Sequence, residues 1–187
     1  MCIRDSLDTD LGIKKIHPAM TTDYPTKEEN LTCYNKGCGE NGSVFCHANT
    51  WAIIAECMLG RPENAWKYYH QLLPMIAQKT AGAERYKAEP YVYSSNIFGP
   101  ESDKFGLANV SWLTGTAAWM YLAATQYLLG VRPTWDGLEI DPCLPEQLLP
   151  AKVARVFRGC RYEITITKNQ KLLLPHVDGR KQLTVTV

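Results

Sequence analysis

The sequence has almost no net charge and contains no run of basic residues. Lys and Arg together number 20, Asp and Glu number 19, and the formal net charge is +1. A chain with this balance lacks the electrostatic footprint of a nucleic-acid-binding protein, so we expect no nucleic-acid partner. Hydrophobic residues make up 45% and charged residues 21%, which excludes intrinsic disorder and is typical of a folded globular chain.

The sequence also lacks a purely apolar segment of membrane-spanning length. Residues 105–131 carry no charged side chain, and the stretch is long enough to cross a bilayer. It contains polar residues, however, among them Asn109, Ser111, Thr125 and Gln126. We therefore interpret it as containing a helix that is buried on several sides within a domain, and we expect no membrane partner.

Recognisable disulfide and zinc patterns are missing as well. The seven cysteines are an odd number and no signal peptide is recognisable, so we expect a reducing, cytoplasmic location. Cys33 and Cys38 are separated by four residues and have no second ligand pair of the kind that structural zinc sites use. We expect no metal site.

Periodicity predicts three helices and one hairpin. Small and apolar side chains recur every three or four positions over residues 44–59, and Gly60 suits the left-handed position that ends a helix. Pro62 suits the first turn of a second helix. Residues 113–129 are apolar on almost every side and predict a third, buried helix. Alternation of apolar and polar residues predicts an antiparallel hairpin over residues 153–166.

The other segments read as connections and turns. Residues 7–42 and 80–110 are rich in polar and turn-forming residues, and we interpret both as long connections. Pro74 marks the predicted end of the second helix. Asp178 and Gly179 form a further turn signal.

The first candidate motif runs from Glu40 to His47, at the junction of a connection and a helix. A carboxylate beside glycines, such as Glu40, can accept hydrogen bonds from sugar hydroxyls, and His47 at a helix start can bind an anion. The alternative is structural: Asn41 or Ser43 caps the helix, and His47 is a partly buried, hydrogen-bonded side chain. Residue spacing alone favours this structural interpretation.

The second candidate motif contains Thr114, Gly115 and Thr116. Free backbone N–H groups at a helix start attract phosphate, and Gly115 has no Cβ to keep an anion away from the backbone. The two threonine hydroxyls can donate further hydrogen bonds. Helix capping is again the structural alternative. The spacing of a P-loop is absent.

Two other kinds of catalysis are conceivable from the residue types. Cys46 adjoins His47, but neighbours in a helix do not face each other, which disfavours a Cys–His nucleophile. Glu40 and Glu89 can form the carboxylate pair of a glycoside hydrolase, although sequence gives no separation between them.

Blocks of the sequence, in the same order, are very similar to the C-terminal part of the inverting phosphorylases of glycoside hydrolase family 94, which act on cellobiose, cellodextrins and chitobiose. The likeness covers roughly residues 30–167. The blocks are residues 40–47, 89–93, 111–117, 126–133 and 136–145.

This resemblance implies a mainly α fold with a β tail. It implies that residues 7–133 are the last helices of an (α/α)₆ catalytic barrel, and that residues 134–187 are a truncated C-terminal antiparallel β domain. Residues 1–6 resemble a sequence-assembly scar, and the chain stops inside an alternating run at Val187. We therefore expect a fragment of a longer protein.

The resemblance also implies a site. In the family, phosphate is held by a His that matches His47 and by a Thr-Gly pair that matches Thr114 and Gly115. A carboxylate that matches Glu40 contacts the acceptor sugar. The family's general acid, an Asp, and an Arg-His pair of phosphate ligands come earlier in the family's sequences than the part matched here, so no catalytic residue is assigned in this chain.

The implied reaction is phosphorolysis of cellobiose or a cellodextrin to α-glucose 1-phosphate and a shortened sugar. Inorganic phosphate is the co-substrate, no metal or organic cofactor is needed, and the full-length enzyme is a homodimer. Three alternatives stay open: the same family acting on chitobiose, laminaribiose, cellobionic acid or a β-1,2-glucan; an (α/α)-barrel hydrolase; and a non-catalytic carbohydrate-binding module.

Overall fold

Helix and strand are nearly balanced in this protein. The computed structural model describes residues 6–21, 34–175 and 181–187 and has about 32% helix and 28% strand. The described residues form five α-helices and four small sheets. The expectation of a mainly α fold made of barrel helices and a β tail is therefore wrong, because strands also occur between the helices.

The chain divides into two compact units. The first contains Met1–Ala52 and Lys67–Met120, and the second contains Ile53–Trp66 and Tyr121–Val187. The predicted boundary between residues 133 and 134 stays a prediction.

Two small antiparallel sheets belong to the first unit. Strand β1 (Asp8–Thr9) pairs with β2 (Gly12–Ile13). Strands β3 (Val44–Phe45), β4 (Ser94–Ile97) and β5 (Ala108–Ser111) form a three-stranded sheet in that order. The β4–β5 ladder brings residues 94–97 beside residues 108–111 and leads the chain directly into the second candidate motif.

The two long connections predicted from the sequence are wrong as continuous loops. Residues 7–42 contain β1 and β2, and residues 80–110 contain β4, β5 and a short helix, α4 (Ala83–Tyr86). These strands are two to four residues long, too short for a clear alternation between apolar and polar residues, and β4 has three polar residues in succession. Buried polar residues such as Ser94 and Asn96 replace the apolar face that sequence patterns detect.

The predicted first and second helices are confirmed, with small changes at their ends. Helix α1 (Cys46–Met58) follows β3 directly, and Gly60 comes just after it with a φ of +65°. Helix α2 (Pro62–Leu72) begins at the predicted proline. Helix α3 (Pro74–Ala81) begins at Pro74, so this proline starts a helix as well as marking the end of the previous one.

The predicted third helix is also confirmed, although it begins three residues later than expected. Helix α5 (Thr116–Leu122) continues into a π-helical segment (Ala123–Leu128), and the Leu129 N–H donates to the carbonyl five residues back. Thr114 and Gly115 therefore precede the helix instead of lying within it. In the described ranges, no helix combines the length and apolar character that crossing a bilayer requires.

The second unit contains two three-stranded sheets. The first has the order β10 (Leu172–Pro175), β7 (Gly137–Ile140), β6 (Val131–Pro133), and its neighbours are antiparallel. A short 3₁₀ helix, Glu146–Leu148, leads from it toward the second sheet.

The predicted hairpin is confirmed in the second sheet of this unit. Strand β8 (Ala151–Phe157) pairs with β9 (Cys160–Ile166), and alternate residues of β9 are buried. Strand β11 (Gln182–Thr186) lies on the other side of β9 and runs parallel to it, so the expectation of a wholly antiparallel β domain is wrong. The predicted Asp178–Gly179 turn lies outside the described residues.

Candidate functional site

His47 lies in the first turn of α1 and has an unpaired ring nitrogen. Its Nε2 atom is buried and has no hydrogen-bond partner among the described residues. A Cβ atom at Gly115 would lie 3.8 Å from this Nε2 and 3.7 Å from Cε1 of the same ring. A buried donor or acceptor without a partner costs about 1–3 kcal/mol, so the ring nitrogen is placed for a partner outside the described chain.

We call the space bordered by His47, Thr114 and Gly115 the anion cleft. The structure brings together three residues that the sequence singled out from two separate motifs. Gly115 does not adopt a left-handed φ, and the nearest atoms to a Cβ there are at ordinary van der Waals distance. Backbone geometry therefore does not demand glycine at this position, and the missing side chain leaves the front of the His47 ring open.

Two tryptophans flank the imidazole of His47. The ring centroid of Trp51 lies 5.5 Å from that of His47, and the centroid of Trp119 lies 6.1 Å from it. The two indoles are themselves 6.5 Å apart and nearly perpendicular, at 85°. The three rings form a compact cluster in which each ring packs against the other two. Sequence reasoning missed both, although Trp51 is one helical turn after His47 and Trp119 is one turn after Gly115.

The hydroxyl of Thr114 is oriented by Thr116. Its Oγ1 atom accepts a hydrogen bond from the Thr116 N–H at 3.2 Å and lies 2.6 Å from the Thr116 Oγ1 atom. Thr116 is fully buried, and Thr114 is partly exposed. Either hydroxyl can donate in the contact between the two oxygens. When Thr116 donates, both acceptor positions of the Thr114 oxygen are occupied and its own proton points away from Thr116.

The backbone that leads into the cleft is strained. Val110 has a φ of +49° and Trp112 a φ of +70°, which are left-handed values that residues with a Cβ seldom adopt. Each such residue costs about 1–3 kcal/mol, and residues of this kind concentrate at functional sites. Between them, Ser111 pairs with Ser94 in the β4–β5 ladder, which fixes the segment just before Thr114.

Glu89 stabilises the same segment from outside the cleft. The indole Nε1–H of Trp112 donates to the Glu89 Oε1 atom at 3.2 Å. The pKa of Glu89 lies below its ordinary value because its own backbone N–H, and then the Trp112 indole, hydrogen-bond to the carboxylate. A carboxyl group held in its ionised form in this way is a poor general acid, so in a Glu40–Glu89 hydrolase pair Glu89 could act only as the ionised partner.

Glu40 lies on the loop before β3 and forms an ion pair with Lys15. The Lys15 ammonium also lies 5.2 Å from the centre of the Phe45 ring, at the end of β3. Glu40 is thus held near the strand that leads into α1. About 42% of its side chain stays exposed, which leaves carboxylate oxygen available to a ligand.

The loop around Glu40 is fixed by the residues that sequence analysis considered as helix caps. The Asn41 side chain accepts a hydrogen bond from the Met20 N–H at 2.7 Å and donates to the Tyr34 carbonyl at 2.9 Å. The Ser43 hydroxyl donates to the Gly39 carbonyl. Both residues therefore shape the loop and do not cap α1, which starts only after β3.

Cys46 is not available as a nucleophile. Burial raises the pKa of its thiol to about 11, and the thiol contacts the Ser94 hydroxyl at 3.7 Å. A buried, protonated thiol is chemically inert. Among the described residues, His, Cys, Asp and Glu form no group of three or more that could hold a metal ion. Cys33 of the Cys33–Cys38 pair lies outside the described residues.

Comparisons with known proteins give the same picture as the motifs. The chain is 35% identical over 184 residues to a solabiose phosphorylase from Paenibacillus borealis, a match that covers 98% of this chain and 23% of that protein. It is 42% identical over 136 residues to an N,N'-diacetylchitobiose phosphorylase from Vibrio proteolyticus, covering 73% of this chain and 17% of the relative. A 3-O-beta-D-glucopyranosyl-beta-D-glucuronide phosphorylase from Paenibacillus borealis is 34% identical over 163 residues, or 87% of this chain and 21% of the relative.

The chain spans less than a quarter of the length of each of these relatives. Its residues 1–130, which include His47, Thr114 and Gly115, match the catalytic domain that defines one family of carbohydrate-active enzymes. The resemblance inferred from the motifs is thus confirmed, and the chain belongs to the glycosyl hydrolase 94 superfamily, which includes the three glycoside phosphorylases matched above.

Proposed function

We propose that this chain supplies the phosphate-binding part of an inverting phosphorylase that cleaves a β-linked disaccharide or oligosaccharide. Cellobiose or a cellodextrin is the first candidate substrate, and inorganic phosphate is the co-substrate, with no metal or organic cofactor. The observation that carries the proposal is the buried, unpaired Nε2 atom of His47 in front of Gly115. The full-length enzyme would be a cytoplasmic homodimer, as the family resemblance implies.

Phosphate fits the anion cleft by its charge and its geometry. His47 donates a hydrogen bond from Nε2 to one phosphate oxygen, and a bond of this charge-assisted kind contributes about 1.5–3 kcal/mol. The Thr114 hydroxyl, when it accepts from Thr116, donates a second bond. The missing Cβ of Gly115 lets a further oxygen approach the backbone. The two indoles beside His47 limit the access of water to this contact.

The proposed chemistry needs one acid and one bound anion. A phosphate oxygen attacks the anomeric carbon from the face opposite to the glycosidic oxygen, and the bond to the leaving sugar breaks with inversion. A general acid protonates that leaving oxygen. An inverting hydrolase needs a second carboxylate to activate water, whereas phosphate is already an anion and needs no such base. The family resemblance assigns the acid to an Asp earlier in the sequence than the residues matched here.

Glu40 is proposed to bind a hydroxyl of the acceptor sugar. Its exposed carboxylate can accept hydrogen bonds from sugar hydroxyls, while the ion pair with Lys15 holds it in place. The identity of the sugar is tested with a panel of disaccharides: cellobiose, N,N'-diacetylchitobiose, solabiose, laminaribiose, cellobionic acid and a β-1,2-linked glucan. The names of the matched relatives justify the breadth of this panel.

The test uses a hybrid phosphorylase in which this chain replaces the matching segment of the Paenibacillus borealis solabiose phosphorylase, with which it aligns over 98% of its length. His47→Ala should lower the apparent affinity for phosphate about tenfold to a hundredfold, because about 1.4 kcal/mol corresponds to a factor of ten. Glu40→Gln should raise the KM for the disaccharide and leave the KM for phosphate nearly unchanged. The measurement is the initial rate of sugar-phosphate formation against each substrate.

Three outcomes would contradict the proposal. If His47→Ala changes only the KM for the disaccharide and not the KM for phosphate, His47 has a structural role and does not bind phosphate. Release of free sugar without phosphate would favour the hydrolase, and sugar binding without any turnover would favour the carbohydrate-binding module.

A further inference from the structure

The second unit contains a pocket of about 400 Å³ that plays no part in the proposed reaction. Two of the residues that line it are cysteines from distant parts of the sequence, Cys57 in the last turn of α1 and Cys143 shortly after β7. The pocket opens to solvent, so small molecules can reach its walls. The remaining lining residues are Met58, Gly60, Pro62, Tyr127, Arg132, Asp141, Pro142 and Asn169.

The two thiols are in contact with each other. Contact with the other thiol is the largest influence on the pKa of each of these cysteines. Cys57 is partly exposed, whereas Cys143 is 6% exposed. The backbone N–H of Cys143 donates to the Leu128 carbonyl at 2.9 Å, which fixes the position of that cysteine. The structure therefore holds two reduced sulfur atoms side by side on the wall of an accessible pocket.

Charged groups surround the pair on several sides. The charge of the Arg132 guanidinium lowers the pKa of Cys57, whereas the charges of Asp141 and Glu56 raise the pKa of Cys143. Arg132 is bound to Asp141 at 2.8 Å, so part of its charge is neutralised. The hydrogen bond from Cys57 lowers the pKa of Cys143, because the thiolate of Cys143 accepts that bond. Cys57, which keeps its proton, has a raised pKa.

We propose that Cys57 and Cys143 are a disulfide-forming pair that reacts with a small peroxide entering this pocket. One of the two sulfur atoms attacks, as its thiolate, one oxygen of hydrogen peroxide, the O–O bond breaks, and the leaving hydroxide takes a proton to become water. The other sulfur then attacks the sulfenic acid, the S–S bond forms, and the S–O bond breaks with release of a second water. Two thiols lose two electrons in total, and one peroxide is reduced to two waters.

The pair differs from the other buried thiol of this unit. Cys160 is 1% exposed, and its thiol donates a hydrogen bond to the Arg161 carbonyl at 3.9 Å and not to another cysteine. It therefore serves as an internal control. The Cys57–Cys143 disulfide links the end of α1 to the segment after β7, and its formation removes both thiols of the pocket together.

The experiment treats the purified 187-residue chain with graded hydrogen peroxide, blocks free thiols with N-ethylmaleimide under denaturing conditions, and digests without reduction. Cleavage after Glu56 separates Cys57 from Cys46, and cleavage after Glu139 and Glu146 isolates Cys143. Mass spectrometry should show a cross-linked Cys57–Cys143 peptide and a joint loss of both alkylated forms. Cys160 should stay alkylated at the same peroxide concentration.

Two variants locate the order of events. In both Cys57→Ser and Cys143→Ser the cross-link should disappear, and dimedone should trap a sulfenic acid in the variant that keeps the thiol attacked by peroxide. The proposal is overturned if Cys57 and Cys143 of the wild-type chain are both recovered as alkylated thiols at a peroxide concentration that oxidises Cys160. Dominant pairing of either one with a third cysteine, or separate over-oxidation of each, overturns it as well.

Discussion

Replacing Gly115 by alanine separates the ligand-binding role of this residue from any structural one. The added methyl group would stand 3.7 Å from Cε1 and 3.8 Å from Nε2 of His47, and 4.0 Å from Cδ1 of Trp119. These are ordinary contact distances, and φ at this residue is not left-handed. The Gly115 carbonyl accepts the first hydrogen bond of α5, from Trp119 at 3.3 Å, and an alanine carbonyl can do the same. We therefore expect the free energy of unfolding to change by less than about 1 kcal/mol.

The effect on phosphate should be much larger than the effect on stability. The methyl group would stand in front of the His47 nitrogen, where the proposed phosphate oxygen binds. Loss of one charge-assisted hydrogen bond of about 1.5–3 kcal/mol predicts a rise in the phosphate KM of about tenfold to a hundredfold. In the hybrid phosphorylase, initial rates against phosphate and against disaccharide measure this change, and thermal unfolding of the same protein measures stability.

Gly82 provides a matched control with the opposite expected behaviour. It has a φ of +86° between α3 and α4, and nothing lies within 4 Å of a Cβ placed there. Gly82→Ala should therefore lower stability by about 1–3 kcal/mol through backbone strain and leave the phosphate KM unchanged. An unchanged phosphate KM in Gly115→Ala would refute the reasoning about the cleft, whatever the stability result.

Three further predictions concern the hydroxyl pair, pH and the chain alone. Thr116→Val should raise the phosphate KM about threefold to tenfold, because the Thr114 hydroxyl loses the bond that orients it, and Thr116→Ser should keep the KM near that of the unsubstituted chain. Equal KM values for both variants would contradict this orienting role of Thr116. The pKa of Glu139 is lowered by hydrogen bonds and charge from Lys171 and Arg132, so its stabilising contribution is present above its ordinary pKa of 4.5 and is lost as pH falls through the lower folded value. Glu139→Gln should therefore reduce the urea midpoint at about pH 7 and hardly change it at about pH 3, and a uniform loss at both would argue against this ion pair. The 187-residue chain by itself should form no sugar phosphate from cellobiose and phosphate, since general acid catalysis contributes roughly a hundredfold to ten-thousandfold to the reaction rate. Turnover at an ordinary enzymatic rate would contradict this prediction.

Elements with long, regular patterns were predictable from the sequence, and short ones were not. Apolar residues recur every three or four positions in helix α1 and at every second position in the β8–β9 hairpin. Each element was predictable because it buries one face over many residues. The four-residue strands β4 and β5 are built from polar residues whose backbone pairing, not apolar burial, defines them. The parallel placement of β11 depends on contacts far along the chain, which periodicity does not encode.

The residues of the candidate site were predictable only in part, for a similar reason. His47 and Gly115 came from separate motifs, and only tertiary packing shows that they border one cleft. Thr116 was considered as a donor in its own right, yet its burial makes it a partner of Thr114. Trp51 was identifiable in principle, because residues four apart on a helix are neighbours on its surface. Only the fold shows that the indole lies against the imidazole.

The region around the anion cleft breaks several local rules of protein structure within a few residues. A buried ring nitrogen of His47 has no partner among the described residues, and Val110 and Trp112 hold left-handed backbone angles. Each departure costs roughly 1–3 kcal/mol, and none of the hydrogen bonds described around the cleft relieves the unpaired nitrogen. Sequences that fold well normally agree with their structure at every level, and departures concentrate where a ligand is bound. An anion that accepts a hydrogen bond from the His47 nitrogen and lies against Gly115 would give that nitrogen a partner. The strained residues Val110 and Trp112 lead the backbone directly into Thr114 and Gly115, which border the cleft opposite His47.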